Sequence, residues 1–232
     1  MFIKLTLTLF IITVSLFAQK PDPETILENV KNEFEKVDDY QVNVQIHVDV
    51  EFLKMPDRQA TIFYKKPDKL HIESENFTLL PKSGLNFSPL GFLSYKYTAF
   101  YVREDTLNSR KVSVIKVIPI EGDAEVILST FWIDTERNLI LKIESSRKPQ
   151  GTFTVDMEYL KTGGNFWLPS SIVFTFNLEP ALLPGKIAEE FYKGKNNDDS
   201  KDKTGKVYLY YSDYKVNQGL PDNIFENSEP NK

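Results

Sequence analysis

The stretch YQVNVQIHVDVEF, residues 40–52, decides how the chain is read. Its even positions (Tyr40, Val42, Val44, Ile46, Val48, Val50, Phe52) are all apolar. Its odd positions (Gln41, Asn43, Gln45, His47, Asp49, Glu51) are all polar. A period of two puts one set on a buried face and the other in water, which is a half-buried β-strand. Thirteen residues at ~3.3 Å each reach roughly 43 Å, more than double a usual strand. A strand of that length bends around something.

Upstream, the period changes to that of a helix. Ile26, Leu27, Val30, Phe34 and Val37 form one apolar stripe over residues 23–37. Asp22 is placed to cap this helix, Pro23 suits its first turn, and Glu24 favours the positive end of its dipole. Further back, Lys4 precedes an apolar run from Leu5 to Phe17, and Ala18 offers a small residue for cleavage. The run is too short to span a bilayer. Residues 1–18 therefore read as a secretory signal peptide, with an uncleaved anchor as the alternative. Cleavage near Ala18 leaves residues 19–232 as a single exported domain and moves the net charge from −5 to −6.

Downstream, strand patterns continue at 58–66, 69–76, 95–103, 111–120, 125–134, 138–147, 152–161, 166–177 and 206–215. Pro67-Asp68, Gly122-Asp123, Asp134 to Asn138, Gln150-Gly151 and Gly163-Gly164-Asn165 punctuate them. Short links make sequence neighbours pair antiparallel, giving about ten strands in one meander. At ~4.8 Å per strand that sheet is roughly 48 Å wide with one apolar face, too wide for one helix to cover. The expected fold is α+β and mainly antiparallel β: an incomplete, half-open curved β-barrel with a helical and loop lid over an apolar cavity.

Two segments follow neither period. Residues 77–93, FTLLPKSGLNFSPLGFL, are apolar but broken by Pro81, Gly84, Pro89 and Gly91. An apolar segment of that length is expected to act as a lid. Residues 193–206 have no apolar side chain and are expected to form a flexible, solvated loop. A short helix over residues 187–192 would precede it.

Composition limits the chemistry. The chain of 232 residues has no cysteine and two histidines, so it has no disulfide, thiol nucleophile or Cys-ligated metal. The missing cysteine also excludes a lipid anchor of its own. A net charge of −5 argues against nucleic-acid or anionic-membrane binding. His47 and His71 lie on polar strand faces and read as surface residues rather than as a zinc pair. There is no G-x-S-x-G elbow, P-loop, dinucleotide fingerprint or H-E-x-x-H. The sequons at Asn76 and Asn86 fall inside the apolar segment and read as chance matches. No reaction and no cofactor is indicated. The 17 Phe, 11 Tyr and 2 Trp fit two outcomes: a barrel packed with its own aromatic side chains, or an apolar ligand cavity beneath a lid.

The order of features resembles a known family. After the helix and long strand comes Phe63-Tyr64-Lys65-Lys66-Pro67-Asp68-Lys69-Leu70-His71-Ile72-Glu73. It is similar to the aromatic–basic–Pro–strand signature of LolA-type outer-membrane lipoprotein carriers and their LolA-like relatives. Phe131-Trp132-Ile133-Asp134 followed by Leu139 to Glu144, Trp167-Leu168-Pro169, and the ending Tyr214 to Asn217 with Leu220-Pro221-Asp222 and Phe225 extend the likeness over nearly all the exported chain. The resemblance implies a periplasmic lipoprotein carrier, not an enzyme. Such a carrier receives acylated lipoproteins from an inner-membrane release complex and passes them to an outer-membrane acceptor.

On that basis the acyl-chain cavity is expected to be lined by Val42, Val44, Ile46, Val48, Ile62, Leu70 and Ile72. Ile26, Val30, Phe34, Leu79, Leu80, Leu85, Phe87, Leu90 and Phe92 are expected to form its movable cover. The family's lid-latching Arg corresponds to Lys66, which keeps the charge and loses the planar fork. The other role open to Lys65 and Lys66 is that of solvated strand-end charges. An envelope-stress sensor domain of the same shape, or a carrier of another lipid or apolar small molecule, are the alternatives.

Overall fold

The computed structural model describes residues 21–50, 56–74, 93, 96–120, 126–147, 151–177 and 204–226. Helix α1 (Pro23–Phe34) is followed by β1 (Asp39–Asp49), β2 (Arg58–Lys65) and β3 (Lys69–Glu73). Then come β4 (Tyr97–Leu107), β5 (Arg110–Pro119), β6 (Val126–Asp134), β7 (Leu139–Arg147), β8 (Gly151–Lys161), β9 (Trp167–Asn177) and β10 (Thr204–Val216). A short 3-10 turn, Asp222–Ile224, follows β10. Among the described residues no helix is long and apolar enough to cross a membrane.

All ten expected strands are present, in one antiparallel sheet of order β3-β2-β1-β10-β9-β8-β7-β6-β5-β4. The simple meander needs one correction. β3 and β4 follow each other in sequence but do not pair; they are the two edges of the sheet. The sheet is instead joined through its terminal strands, β1 with β10. A hairpin forces its strands to pair only when the link is short, and residues 74–96 are too long a link to do so. The sheet is therefore the open, incomplete barrel expected from its width.

Register carries the apolar face across the sheet. Val48 pairs with Val207, Val207 with Phe174, Phe174 with Val155, and Val155 with Ile143. Ile143 then pairs with Phe131, Phe131 with Ile115, and Ile115 with Tyr101. One apolar side chain per strand thus forms a continuous row over eight strands. Phe131, Ile115, Ile143 and Val155 in this row are fully buried. A slip of one residue in any strand would turn its member of the row to water.

α1 lies against the same core through Ile26, Leu27 and Val30. Asp22 caps it, accepting from the Thr25 backbone N–H at 3.2 Å and from the Thr25 hydroxyl at 2.6 Å. The helix stops at Phe34, three residues before the expected end, and Val37 is buried in the turn that follows.

Other boundaries shift as well. β1 runs to Asp49, with Val50 in an isolated bridge, while Glu51 and Phe52 lie outside the described residues. β10 begins at Thr204, opposite Asn177, so residues 204–206 are strand rather than loop. β4 extends to Leu107 because Asn108 and Ser109 adopt φ of 50° and 62°, the tight two-residue hairpin turn with positive φ at both positions. The expected signal peptide 1–18, the apolar segment 77–92, the loop residues 193–203, the helix over 187–192 and both sequons lie outside the described residues. Leu93 alone of the apolar segment is described, and it is buried in the core.

Candidate functional site

The residues expected to line a cavity share one face of the sheet. Val42, Val44, Ile46, Val48 and Ile62 are buried in the main core, as are Ile26 and Val30 of α1. Leu70, Ile72 and Phe34 are half-buried and pack against it. The pairing explains the grouping: Val42 sits opposite Ile62 and Ile62 opposite Ile72, while Val44 and Ile46 face Tyr211 and Leu209 of β10. Leu79, Leu80, Leu85, Phe87, Leu90 and Phe92 lie outside the described residues. All of the described ones belong to, or pack against, one core cluster to which α1, β1, β2 and β5 to β10 contribute buried side chains.

At one end of this core the α1–β1 turn is held by polar contacts. Lys66 Nζ donates to Asp38 Oδ1 at 2.7 Å, and the Lys66 backbone N–H donates to the Asp38 carbonyl at 2.8 Å. The hydrogen bond to Asp38 raises the Lys66 pKa. Lys65 Nζ donates to the Leu220 carbonyl at 2.8 Å and to Asp222 at 2.7 Å, and Lys69 reaches Asp222 at 3.1 Å. These bonds hold the Asp222 carboxyl below its usual range. Both lysines of the signature are paired, in ion pairs that stay largely exposed. Lys66 grips the turn after α1, while Lys65 makes the lysine-to-backbone-carbonyl bond.

The same end carries a tyrosine cluster that is not among the expected lining residues. Tyr40 of β1 stacks on Tyr64 of β2 (centroids 5.1 Å) and meets Tyr214 of β10 edge-on (5.8 Å). Tyr211 stacks on Tyr214 (6.3 Å), and Phe34 of α1 tilts against Tyr159 of β8 (6.5 Å). The Tyr159 hydroxyl donates to the Ile140 carbonyl and the Tyr214 hydroxyl to the Pro169 carbonyl, each at 2.8 Å. Burial pushes the phenols of Tyr40, Tyr159, Tyr211 and Tyr214 well above their ordinary range, with neighbouring tyrosines adding to the shift in Tyr40, Tyr211 and Tyr214. All four stay neutral hydrogen-bond donors over the physiological range. The signal was visible as Tyr208, Tyr210, Tyr211 and Tyr214. Alternation assigns a tyrosine to a face but is silent about its hydroxyl.

The opposite face of β1–β3 and β10 holds a polar hollow of about 1130 Å³, lined in part by Asn43, Gln45, Asp57, Gln59, Thr61 and Asp213. His47 Nδ1 lies 2.7 Å from Asp57 Oδ1, and this contact is the main cause holding the Asp57 carboxyl below its usual range. His47 is exposed as expected. His71 is only half-buried rather than solvated, with its ring against Phe63 (5.9 Å) and Nε2 3.6 Å from Glu73. Among the described residues no three His, Asp or Glu side chains converge as metal ligands.

No protein-family profile matches the chain, and no curated protein does. Solved structures do. A domain assigned as an outer membrane lipoprotein-sorting protein from Vibrio parahaemolyticus is 14% identical, with a TM-score of 0.55 over 88% of this chain and 97% of that one. A LolA superfamily protein from Nitrosomonas europaea is 16% identical, with a TM-score of 0.55 over 88% and 96%. A DUF1329 family protein from Desulfovibrio piger is 12% identical, with a TM-score of 0.57 over 90% and 99%. The chain has the LolA-type fold.

Proposed function

We infer that the protein is an exported carrier that takes acyl chains, those of lipoproteins first, into its apolar interior and delivers them toward the outer membrane. The observation that carries this is a ten-stranded sheet whose edge strands β3 and β4 do not pair, with the amphipathic helix α1 seated on its apolar face. Ligand entry requires α1 to lift. The energetics allow it: uncovering the three buried helix side chains Ile26, Leu27 and Val30 costs about 5–9 kcal/mol at ~1.5–3 kcal/mol each. Burying an acyl chain returns ~0.8 kcal/mol per methylene, so roughly six to eleven methylenes offset the displacement. An acyl chain of membrane-lipid length exceeds that.

The lining would be Val42, Val44, Ile46, Val48, Ile62, Leu70 and Ile72. Ile26, Val30, Phe34 and the apolar residues of 77–93 would form the cover. Lys66, which ties β2 to the α1–β1 turn, would act as the latch on that cover. The leader over residues 1–18 would send the protein to the periplasm, where a membrane-bound donor and acceptor would exchange its cargo. No catalytic step belongs to this role. Likeness in fold to a domain assigned to lipoprotein sorting adds support.

The test is direct. Purified protein is mixed with a synthetic triacylated lipopeptide in detergent-free buffer and passed through gel filtration. A soluble complex that disappears when the lipopeptide lacks its acyl groups is the expected result. If the lipopeptide stays aggregated and organic extracts of the protein purified from cells contain no lipid, the carrier assignment is wrong.

A further inference from the structure

Tyr40, Tyr159, Tyr211 and Tyr214 pack against the core, and Tyr214 meets the rings of both Tyr40 (5.8 Å) and Tyr211 (6.3 Å). Two of their hydroxyls are occupied: Tyr159 donates to the Ile140 carbonyl and Tyr214 to the Pro169 carbonyl. These bonds fix the rings of β8 and β10. The other two differ. Tyr40 and Tyr211 are held by ring contacts to Tyr64 and Tyr214, and among the described residues neither hydroxyl has a hydrogen-bond partner. Each therefore keeps a donor free for an added acceptor, of the carbonyl kind that already serves Tyr159 and Tyr214. Both free hydroxyls belong to the face that carries the candidate lining, because Tyr211 pairs with Val44 and Tyr40 starts the same alternating row. Both side chains are half-buried and not sealed in the core.

The chemistry on offer is specific. The nearby lysines are already engaged, Lys66 with Asp38 and Lys65 and Lys69 with Asp222. A carboxylate would gain no counter-charge there, whereas a neutral carbonyl oxygen with two lone pairs accepts from two phenols at once. We propose that Tyr40 and Tyr211 form a recognition point for the neutral carbonyl at the head of an acyl chain, an ester or an amide, with the hydrocarbon running along the apolar row beneath α1. The ligand class is then an acylated molecule rather than a free fatty acid or a plain hydrocarbon. This rests on the interior accepting acyl chains.

The experiment uses the full chain, wild type and the Tyr40→Phe/Tyr211→Phe double variant, which keeps both rings and removes only the two hydroxyls. Four probes of equal chain length are compared: methyl palmitate and N-methylpalmitamide, each labelled with carbon-13 at the carbonyl, palmitate, and hexadecane. Affinity is read by displacement of a fluorescent apolar dye, and the labelled carbonyl stretch is read by infrared spectroscopy in the complex.

In wild type the carbonyl stretch should sit at lower wavenumber than in hexadecane solution. The double variant should lose that shift, bind the carbonyl probes about tenfold more weakly, and bind hexadecane within about twofold of wild type. Palmitate should be the weaker ligand beside its methyl ester. Whichever of the ester and amide shows the larger shift identifies the linkage preferred. Should the wild-type carbonyl stretch match that in hexadecane, or should the variant bind every probe as wild type does, the recognition point is disproved while an apolar carrier stands. If no probe binds wild type, the carrier assignment and this inference fall together. The wild-type spectrum decides the matter even if the double variant does not fold.

Discussion

Asp39 is a carboxylate buried at the first position of β1. Its oxygens accept the backbone N–H groups of Gln218 and Gly219, both at 2.9 Å, and its carbonyl accepts the Asn217 N–H at 2.8 Å. Asn217 answers with its side-chain oxygen, which accepts from the Asp38 N–H at 2.7 Å and the Asp39 N–H at 3.3 Å. The chain after β10 can take this path because Asn217 and Gly219 sit at φ of 53° and 76°, which Asn and Gly tolerate best. One carboxylate therefore pins residues about 180 positions apart in sequence. Replacing it strands a clasp of two charge-assisted hydrogen bonds, each worth about 1.5–3 kcal/mol in such settings. Asp39→Ala is expected to lower stability by about 2–4 kcal/mol in urea unfolding, and Asp39→Asn by less, since the amide oxygen still accepts. An unchanged midpoint for Asp39→Ala would show that the clasp is incidental. Nothing local in the sequence marked this residue: Asp38-Asp39 reads as an ordinary turn before a strand. The same limit hid Tyr40 and Tyr211, whose role depends on partners from distant strands.

Among the elements, α1 was the easiest to read. Its apolar stripe, Asp22 cap and Pro23 start are local signals, and local signals survive into the structure. The strands were legible for a similar reason, since alternation records which face is buried. Their ends were less so. β4 continues through Arg103, Glu104 and Asp105 to a hairpin turn at Asn108-Ser109, although that stretch is charged and mostly exposed. Its pairing with β5 and a bulge near Val102 hold it as strand, and neither leaves a periodic trace. Leu27 anchors α1 with no exposed surface. Leu27→Ala should cost about 2–5 kcal/mol, transfer and cavity terms together. Because α1 is the cover in the proposed carrier, the same variant should raise hydrogen exchange in α1 more than in β1. Equal acceleration in both elements would mean that α1 and the sheet open only together, which leaves no separate cover to lift.

At the scale of the whole molecule, the decisive fact is that β10 lies inside the sheet and not at its edge. It pairs with β1 on one side and β9 on the other, so β10 joins β1–β3 to β4–β9. Hairpin logic recovers each half from sequence, because its strands are joined by short links. It does not recover the joint, which pairs Val44 with Tyr211 and Ile46 with Leu209. Those contacts are the non-local kind that form late and raise the cost of folding. Removing Thr204 onward should therefore do more than trim a terminus. It would expose both flanks of a strand slot and leave Leu209 and Tyr211 missing from the core, with Asp39 deprived of its two donors. Residues 1–203 are expected to lack a cooperative thermal transition and to be cut rapidly by protease. A synthetic peptide spanning Thr204 to Glu226 should restore protection when added, since strand insertion between two waiting edges recovers backbone hydrogen bonds on both sides. A truncated chain that melts cooperatively near the full-length midpoint would place the folding core wholly within β4–β9 and make β1–β3 a dependent appendage. Restoration by the peptide would instead show that the apolar interior exists only once β10 has closed it, so that the bound and folded states depend on the same strand.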